Sequence, residues 1–147
     1  MQCRDVMLTL VYKCTEHTPA IECARLMRDE KLGFMPVVDS GGKLVGVVTD
    51  RDLTIRLLAS DLPSSTPVRD LMSTGPLLTC DAEESLHGLE ARMGAEKRSR
   101  AVVVNAGREP VGIISLSDIA RIERSAARTG RLLQQVAQRE SVALVHG

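Results

Sequence analysis

The strongest constraint on this 147-residue chain is that it repeats itself. Displaced by 66 residues, Met27 falls on Met93, Glu30-Lys31 on Glu96-Lys97, Val37-Val38 on Val103-Val104, Gly41 on Gly107, Val45-Gly46 on Val111-Gly112 and Asp52 on Asp118. These are nine identities in the 27 positions from Met27 to Leu53, where average composition gives roughly two. Val47/Ile113, Val48/Ile114, Thr49/Ser115 and Leu53/Ile119 are conservative matches in the same stretch. Arg4-Asp5-Val6-Met7 matches Arg69-Asp70-Leu71-Met72 at a shift of 65, so the second copy carries one extra residue. A unit this short has too few elements to enclose a core, so the two copies are expected to pack together about a pseudo-two-fold axis.

Each copy reads as strand–helix–strand–strand–helix, an α/β (α+β) class with β-α-β-β-α repeats. The short apolar runs Leu8–Cys14 and Pro76–Cys80 predict first strands. Pro19–Glu30 and Glu83–Glu96 predict helices, with apolar residues at Ala20, Cys23, Ala24 and Met27 and at Leu86, Leu89 and Met93. Thr18 before Pro19, and Asp81 with Glu84 three residues on, are the candidate caps. Two hairpins follow, turning at Ser40–Lys43 and Ala106–Glu109, with Val/Ile-rich arms that predict burial on both faces. Second helices are expected from Arg51 to Ala59 and from Ser117 onward. Ser60–Pro67 reads as the exposed connector, giving residues 1–66 as repeat one with linker, 67–124 as repeat two and 125–147 as a helical extension and tail.

Composition excludes several functions. There is no Trp, one Tyr (Tyr12) and one Phe (Phe34), too few aromatics for a base-stacking RNA or single-strand surface. A net charge of zero removes the general field that would hold the chain on DNA or an anionic membrane. No apolar run approaches the ~20 residues of a membrane span, and Met7–Val11 is too short for a signal-peptide core, so a cytoplasmic location is expected. Cys3, Cys14, Cys23 and Cys80 form no C-x-x-C pair and His17, His87 and His146 are scattered, so no metal site is expected and the thiols read as small apolar groups. No Ser-His-Asp set and no phosphate-binding glycine loop is present, which argues against an enzyme.

The chemistry gathers at one corner of each copy. Gly46-Val47-Val48-Thr49-Asp50-Arg51-Asp52 and Gly112-Ile113-Ile114-Ser115-Leu116-Ser117-Asp118 share the pattern Gly-apolar-apolar-hydroxyl-x-x-Asp at a strand-to-helix junction. A helix start offers unpaired N–H groups to a phosphate. Thr49 or Ser115 adds a hydroxyl, and Asp52 or Asp118 can accept from the two hydroxyls of a ribose. The same letters are equally explained by Thr49 and Ser115 as N-caps and the two aspartates as first-turn partners of the helix dipole.

The repeats closely resemble a tandem pair of cystathionine-β-synthase (CBS) domains over residues 3–124. The resemblance rests on Arg4–Met7, Met35–Asp39, Leu44–Leu53 and their second-copy partners. It implies a disk-like pair with two clefts for AMP, ADP, ATP, S-adenosylmethionine, NAD(H) or related ligands. Asp52 and Asp118 would hold ribose, and Thr49 and Ser115 would approach phosphate. Arg100 stands where the family often places a basic residue for phosphate, whereas repeat one has Phe34, so unequal clefts are expected. Arg51 is a further phosphate candidate, and adenine would lie against Tyr12, Lys13 and Cys14 or Leu78, Thr79 and Cys80. The resemblance also implies a homodimer and a regulated partner protein, with no covalent cofactor. The other reading is a ligand-free dimerisation or scaffolding module. The arginines at 121, 124, 128, 131 and 139 make the C-terminal segment either a solvated amphipathic helix or a contact for a second subunit.

Overall fold

The computed structural model describes residues 1–122 and 126–146, and the side chains of all of these except 126 and 139–146. Glu123 and Arg124, the side chains of Arg139 and Glu140, and the expected boundary at 124/125 therefore lie outside the described residues.

The chain forms two compact units that cut across the sequence repeat. Unit 1 comprises Met1–Leu10, Leu78–Asn105 and Val111–Gly147; unit 2 comprises Val11–Leu77 and Ala106–Pro110. Unit 2 contains β1 (Cys14–Thr15), α1 (Ala20–Glu30), β2 (Phe34–Val38), β3 (Leu44–Thr49) and the short α2 (Asp50–Asp52). Unit 1 contains β4 (Thr79–Cys80), α3 (Leu86–Glu96), β5 (Arg100–Val104), most of β6 (Pro110–Ser115), α4 (Leu116–Ile122) and α5 (Ala126–His146). The sheets have strand orders β1-β2-β3 and β4-β5-β6, with β1 parallel to β2 and β4 parallel to β5. Strands β2 and β3 are antiparallel, with Phe34 opposite Thr49 and Val37 opposite Gly46. The expected β-α-β-β-α order is present in both copies.

Equivalent positions build equivalent cores. In α1, Ala20, Cys23 and Met27 face inward; in α3, Leu86, Leu89 and Met93 do so, at the same i, i+3, i+7 spacing. The inner strands are buried on both faces: Met35–Val38 and Ala101–Val104 are buried at every residue. Burying each large side chain stabilises by about 1.5–3 kcal/mol. Both helices end on a left-handed lysine, Lys31 at φ 57° and Lys97 at φ 54°.

The segment before each first strand completes the unit built mainly from the other repeat. In unit 1, Cys3–Asp5 makes a 3-10 turn; the Cys3 and Arg4 amides donate to the Glu84 and Ala82 carbonyls, and Leu8 pairs reciprocally with Ile113. In unit 2, Val68–Asp70 does the same: Val68 and Arg69 donate to Thr18 and Glu16, and Ser73 pairs reciprocally with Val47. These straps explain where the elements differ from expectation. Leu8 is committed to Ile113, so the first strand is not Leu8–Cys14 but begins where Cys14 meets Val37. Likewise only Thr79–Cys80 of the expected Pro76–Cys80 pairs, with Val102–Val103. The Ala82 and Glu84 carbonyls serve the strap, so α3 starts at Leu86 rather than Glu83, with Ser85 rather than Asp81 at its N-cap. Thr18 does not cap α1; its hydroxyl oxygen accepts from the Thr15 amide at 3.1 Å and Pro19 takes the cap position.

The expected helix Arg51–Ala59 is also modified. After three α-helical residues the chain widens into a π-helical turn over Leu53–Leu58, a rare form often found at functional places. The C-terminal helix α5 packs within unit 1, with Leu132 and Val136 buried against that unit's core and Gln135 over Gly94. No helix among the described residues is long and apolar enough to cross a membrane.

The two corner glycines exist to admit the straps. A Cβ on Gly46 would lie 2.7 Å from Met72 Sδ and 2.9 Å from the Ser73 carbonyl oxygen; one on Gly112 would lie 2.7 Å from Met7 Sδ, its other near neighbours being Met7 side-chain atoms. A carbonyl fixed in a strand pair yields less than a thioether does. Gly46→Ala is therefore expected to destabilise by about 1–3 kcal/mol and Gly112→Ala by less, measured by urea unfolding; the reverse order would refute the strap account.

Candidate functional site

Each corner is a strand that turns directly into a helix, closed by its own side chains. In unit 2 the Thr49 hydroxyl oxygen accepts from the Asp52 amide at 3.1 Å while the Thr49 amide donates to Asp52 Oδ2 at 2.9 Å. Unit 1 repeats this with Ser115 and Asp118 at 3.1 and 2.9 Å, and there the Ser115 hydroxyl also donates to Asp118 Oδ2 at 2.7 Å. Both are reciprocal capping boxes with aspartate in the third position, which satisfy helix N–H groups that would otherwise lack partners. A further backbone bond pins each bend: Asp50 N to Gly33 O, and Leu116 N to Ser99 O.

The carboxylates are buried, at 8% exposure for Asp52 and 5% for Asp118. Their second oxygens are held by residues to which the sequence reading gave no part in the corners: Arg56 and Ser73, which it did not single out, and Arg121, which it placed only on the C-terminal arginine face. Asp52 Oδ1 lies 3.6 Å from Arg56 Nε and 3.4 Å from the Ser73 hydroxyl. Arg56 is itself fixed, its Nη1 donating to the Leu71 and Met72 carbonyls at 3.2 and 3.0 Å. Asp118 Oδ1 takes a 2.7 Å bond from Arg121, whose side chain is 68% exposed. An Asp followed three or four residues later by Arg is a legible helix-surface pair. Ser73 reaches Asp52 only because its strap pairs with Val47.

The remaining candidates distribute as follows. Arg51 is exposed beside Asp52. Phe34 opens β2 directly opposite Thr49 and is half-buried, while its counterpart Arg100 opens β5 and is exposed. Tyr12 packs on the unit 2 core, and its hydroxyl bonds to Glu30, which raises its pKa above the ordinary tyrosine value. Lys13 is exposed and Cys14 is buried in β1. Leu78 and Cys80 are buried and Thr79 half-buried in or beside β4. Thus Thr49, Arg51 and Asp52 lie at one corner of unit 2, with Phe34 across the strand pair. Ser115 and Asp118 form the matching corner of unit 1. Among the described residues, no group of three or more His, Cys, Asp or Glu is placed to hold a metal ion.

Comparison with known proteins agrees with this architecture. The family model described as the CBS domain matches residues 3–59 and 68–125. The uncharacterized protein YlbB of Bacillus subtilis is 32% identical over 139 residues, 92% of this chain and 90% of its own. The crystal structure of hypoxic response protein I superposes with a TM-score of 0.74 at 29% identity, covering 83% of this chain and 98% of that one; the protein of Mycobacterium tuberculosis called hypoxic response protein 1 is 31% identical over 118 residues, 80% of this chain and 82% of its own. The CBS domain pair of protein MJ0100, crystallised with 5′-methylthioadenosine and S-adenosyl-L-methionine, shares the fold at a TM-score of 0.73 and 24% identity, covering 83% of this chain and 94% of that one. CBS domain pairs of this kind are non-catalytic.

The capping boxes make a prediction free of any ligand. Thr49→Ala and Ser115→Ala should each cost about 1 kcal/mol in urea unfolding without added nucleotide. Arg56→Ala should cost more than Arg121→Ala, because Arg56 bonds two backbone carbonyls as well as a carboxylate. Equal stability of all four variants and the parent would show that the corners are not held this way.

Proposed function

We propose that this chain, which belongs to the CBS domain family and carries the domain twice, is a regulatory sensor of adenine nucleotides. AMP, ADP or ATP is the ligand class, with S-adenosylmethionine or NAD(H) as further members of the same chemistry. It acts without catalysis, as a cytoplasmic homodimer that engages a partner protein in one ligand state and releases it in the other. Such signalling requires the ligand to bind the two states unequally.

The observation that carries this reading is the duplicated corner. Each unit holds a buried carboxylate one helical turn from a hydroxyl, with one carboxylate oxygen spent on the cap and the other on an arginine. The second oxygen is the one a ribose would engage. Arg121 is exposed and, among the described residues, tied to Asp118 alone, so it can yield to two sugar hydroxyls. The adenosine derivatives bound by MJ0100 support the ligand class. Arg100 against Phe34 supports unequal corners, with the phosphorylated ligand held better in repeat two. A specific observation favours the other reading, a ligand-free dimerisation module: the capping boxes account for Thr49, Ser115, Asp52 and Asp118 with no ligand at all.

A thermal-shift and calorimetric series decides between them. A ligand at a hundredfold excess over its dissociation constant should add about 2.7 kcal/mol of stability. Asp118→Ala should abolish AMP binding while Asp52→Ala leaves it largely intact, and Arg100→Ala should weaken AMP but not adenosine. No shift with AMP, ADP, ATP, NADH or S-adenosylmethionine would leave the scaffolding reading standing. Two equal sites would refute the inequality.

A further inference from the structure

Beside the matched aspartates the two copies carry different donors. At the shift of 66 residues Ile55-Arg56 falls on Arg121-Ile122, so arginine and isoleucine have changed places. At the strap's shift of 65, Ser73 falls on Leu8. Both exchanges bear on one atom, the carboxylate Oδ1 that the capping box leaves over.

In unit 2 two donors converge on Asp52 Oδ1: Arg56 Nε at 3.6 Å and the Ser73 hydroxyl at 3.4 Å. Both are anchored. The amide and carbonyl of Ser73 pair with Val47, and Arg56, on its π-helical turn, gives Nη1 to the Leu71 and Met72 carbonyls. In unit 1 Leu8 takes the strap position, pairs with Ile113 in the same way, and brings an exposed hydrocarbon with no donor. Among the described residues only Arg121 bonds Asp118 Oδ1, and its side chain lies mostly in water. An ion pair with so wet a partner is readily broken. A guanidinium held by two carbonyls stays in place when a competing donor arrives, because leaving would strand those carbonyls.

We infer that Arg56 and Ser73 fill the unit 2 corner from within, standing in for the two hydroxyls of a ribose, and so latch Asp52 shut while Asp118 stays open. The inference rests on the ribose role proposed above for the aspartates and adds what controls it. That control is the place of the arginine and the identity of the strap residue, and it acts apart from Arg100 and Phe34. A vicinal diol offers two donors to a carboxylate. At Asp52 two donors are already ordered by the fold, so a ribose must displace both and leave the strap carbonyls without Arg56. At Asp118 it displaces one mobile side chain.

Adenosine is the probe, because it carries the ribose and no phosphate for Arg100 to meet. Titration calorimetry on the full chain should give one site per chain, lost in Asp118→Ala and kept in Asp52→Ala. The triple variant Ile55→Arg, Arg56→Ile, Ser73→Leu gives repeat one the residues of repeat two. It should bind two adenosines per chain, the second lost on adding Asp52→Ala. Relaxation NMR on the ligand-free parent tests the latch even if the triple variant does not fold. The Arg56 Nε–H group, assigned with Arg56→Lys, should be as ordered as the backbone, with an order parameter of about 0.85, and that of Arg121, assigned with Arg121→Lys, below about 0.6. One site in the triple variant, two in the parent, a parent site that depends on Asp52, or equal mobility of the two arginines would overturn the latch and leave the nucleotide reading standing. Adenosine bound by neither protein, or bound regardless of both aspartates, would overturn the two together.

Discussion

Both units depend on one interaction, a methionine strap laid over a strand glycine. Met7 lies on Gly112 and Met72 on Gly46, and in each case the next residue of the strap pairs with the strand residue that follows the glycine. Without that contact each sheet would lose its closing backbone pair, and the 3-10 turn would lose the carbonyls it bonds beside the following helix. The glycine is required by steric exclusion rather than by backbone freedom, since any Cβ there would occupy the sulfur's place.

The straps also set the geometry of the corners. Val47 pairs with Ser73, and two residues later β3 ends at Thr49. The strap thus brings the Ser73 hydroxyl to Asp52 and presents the Leu71 and Met72 carbonyls to Arg56. In repeat one the arginine sits four residues after the aspartate, on a π-helical turn; in repeat two it sits three residues after, on a regular α-helix. One Arg is locked by the backbone and the other is mostly in water. The corners are therefore alike in their capping boxes and unlike in how readily the second carboxylate oxygen is released.

The capping description and the ribose description of Asp52 and Asp118 use different oxygens of the same carboxylate. Oδ2 closes the box, and Oδ1 faces an arginine. A carboxylate tied down by a backbone amide is held in one rotamer before any ligand arrives, which lowers the ordering cost of binding. A side chain can thus stabilise the helix start and still present an acceptor.

The sequence by itself determined the family, the element order, the inward faces of α1 and α3, the burial of the inner strands β2 and β5 on both faces (the outer arm β6 instead alternates buried and half-buried residues) and the residues of both corners. All of these follow from local periodicity or from a pattern written twice, and local patterns survive in one dimension. Only the tertiary structure decided which repeat each strap serves, why the first strands shrink to Cys14–Thr15 and Thr79–Cys80, and that Arg56 and Arg121 hold the aspartates. Most of these depend on contacts between residues far apart in the chain. Such contacts are set by the closing of backbone hydrogen bonds and the filling of space beside a missing Cβ, and neither leaves a periodic trace in the order of residues.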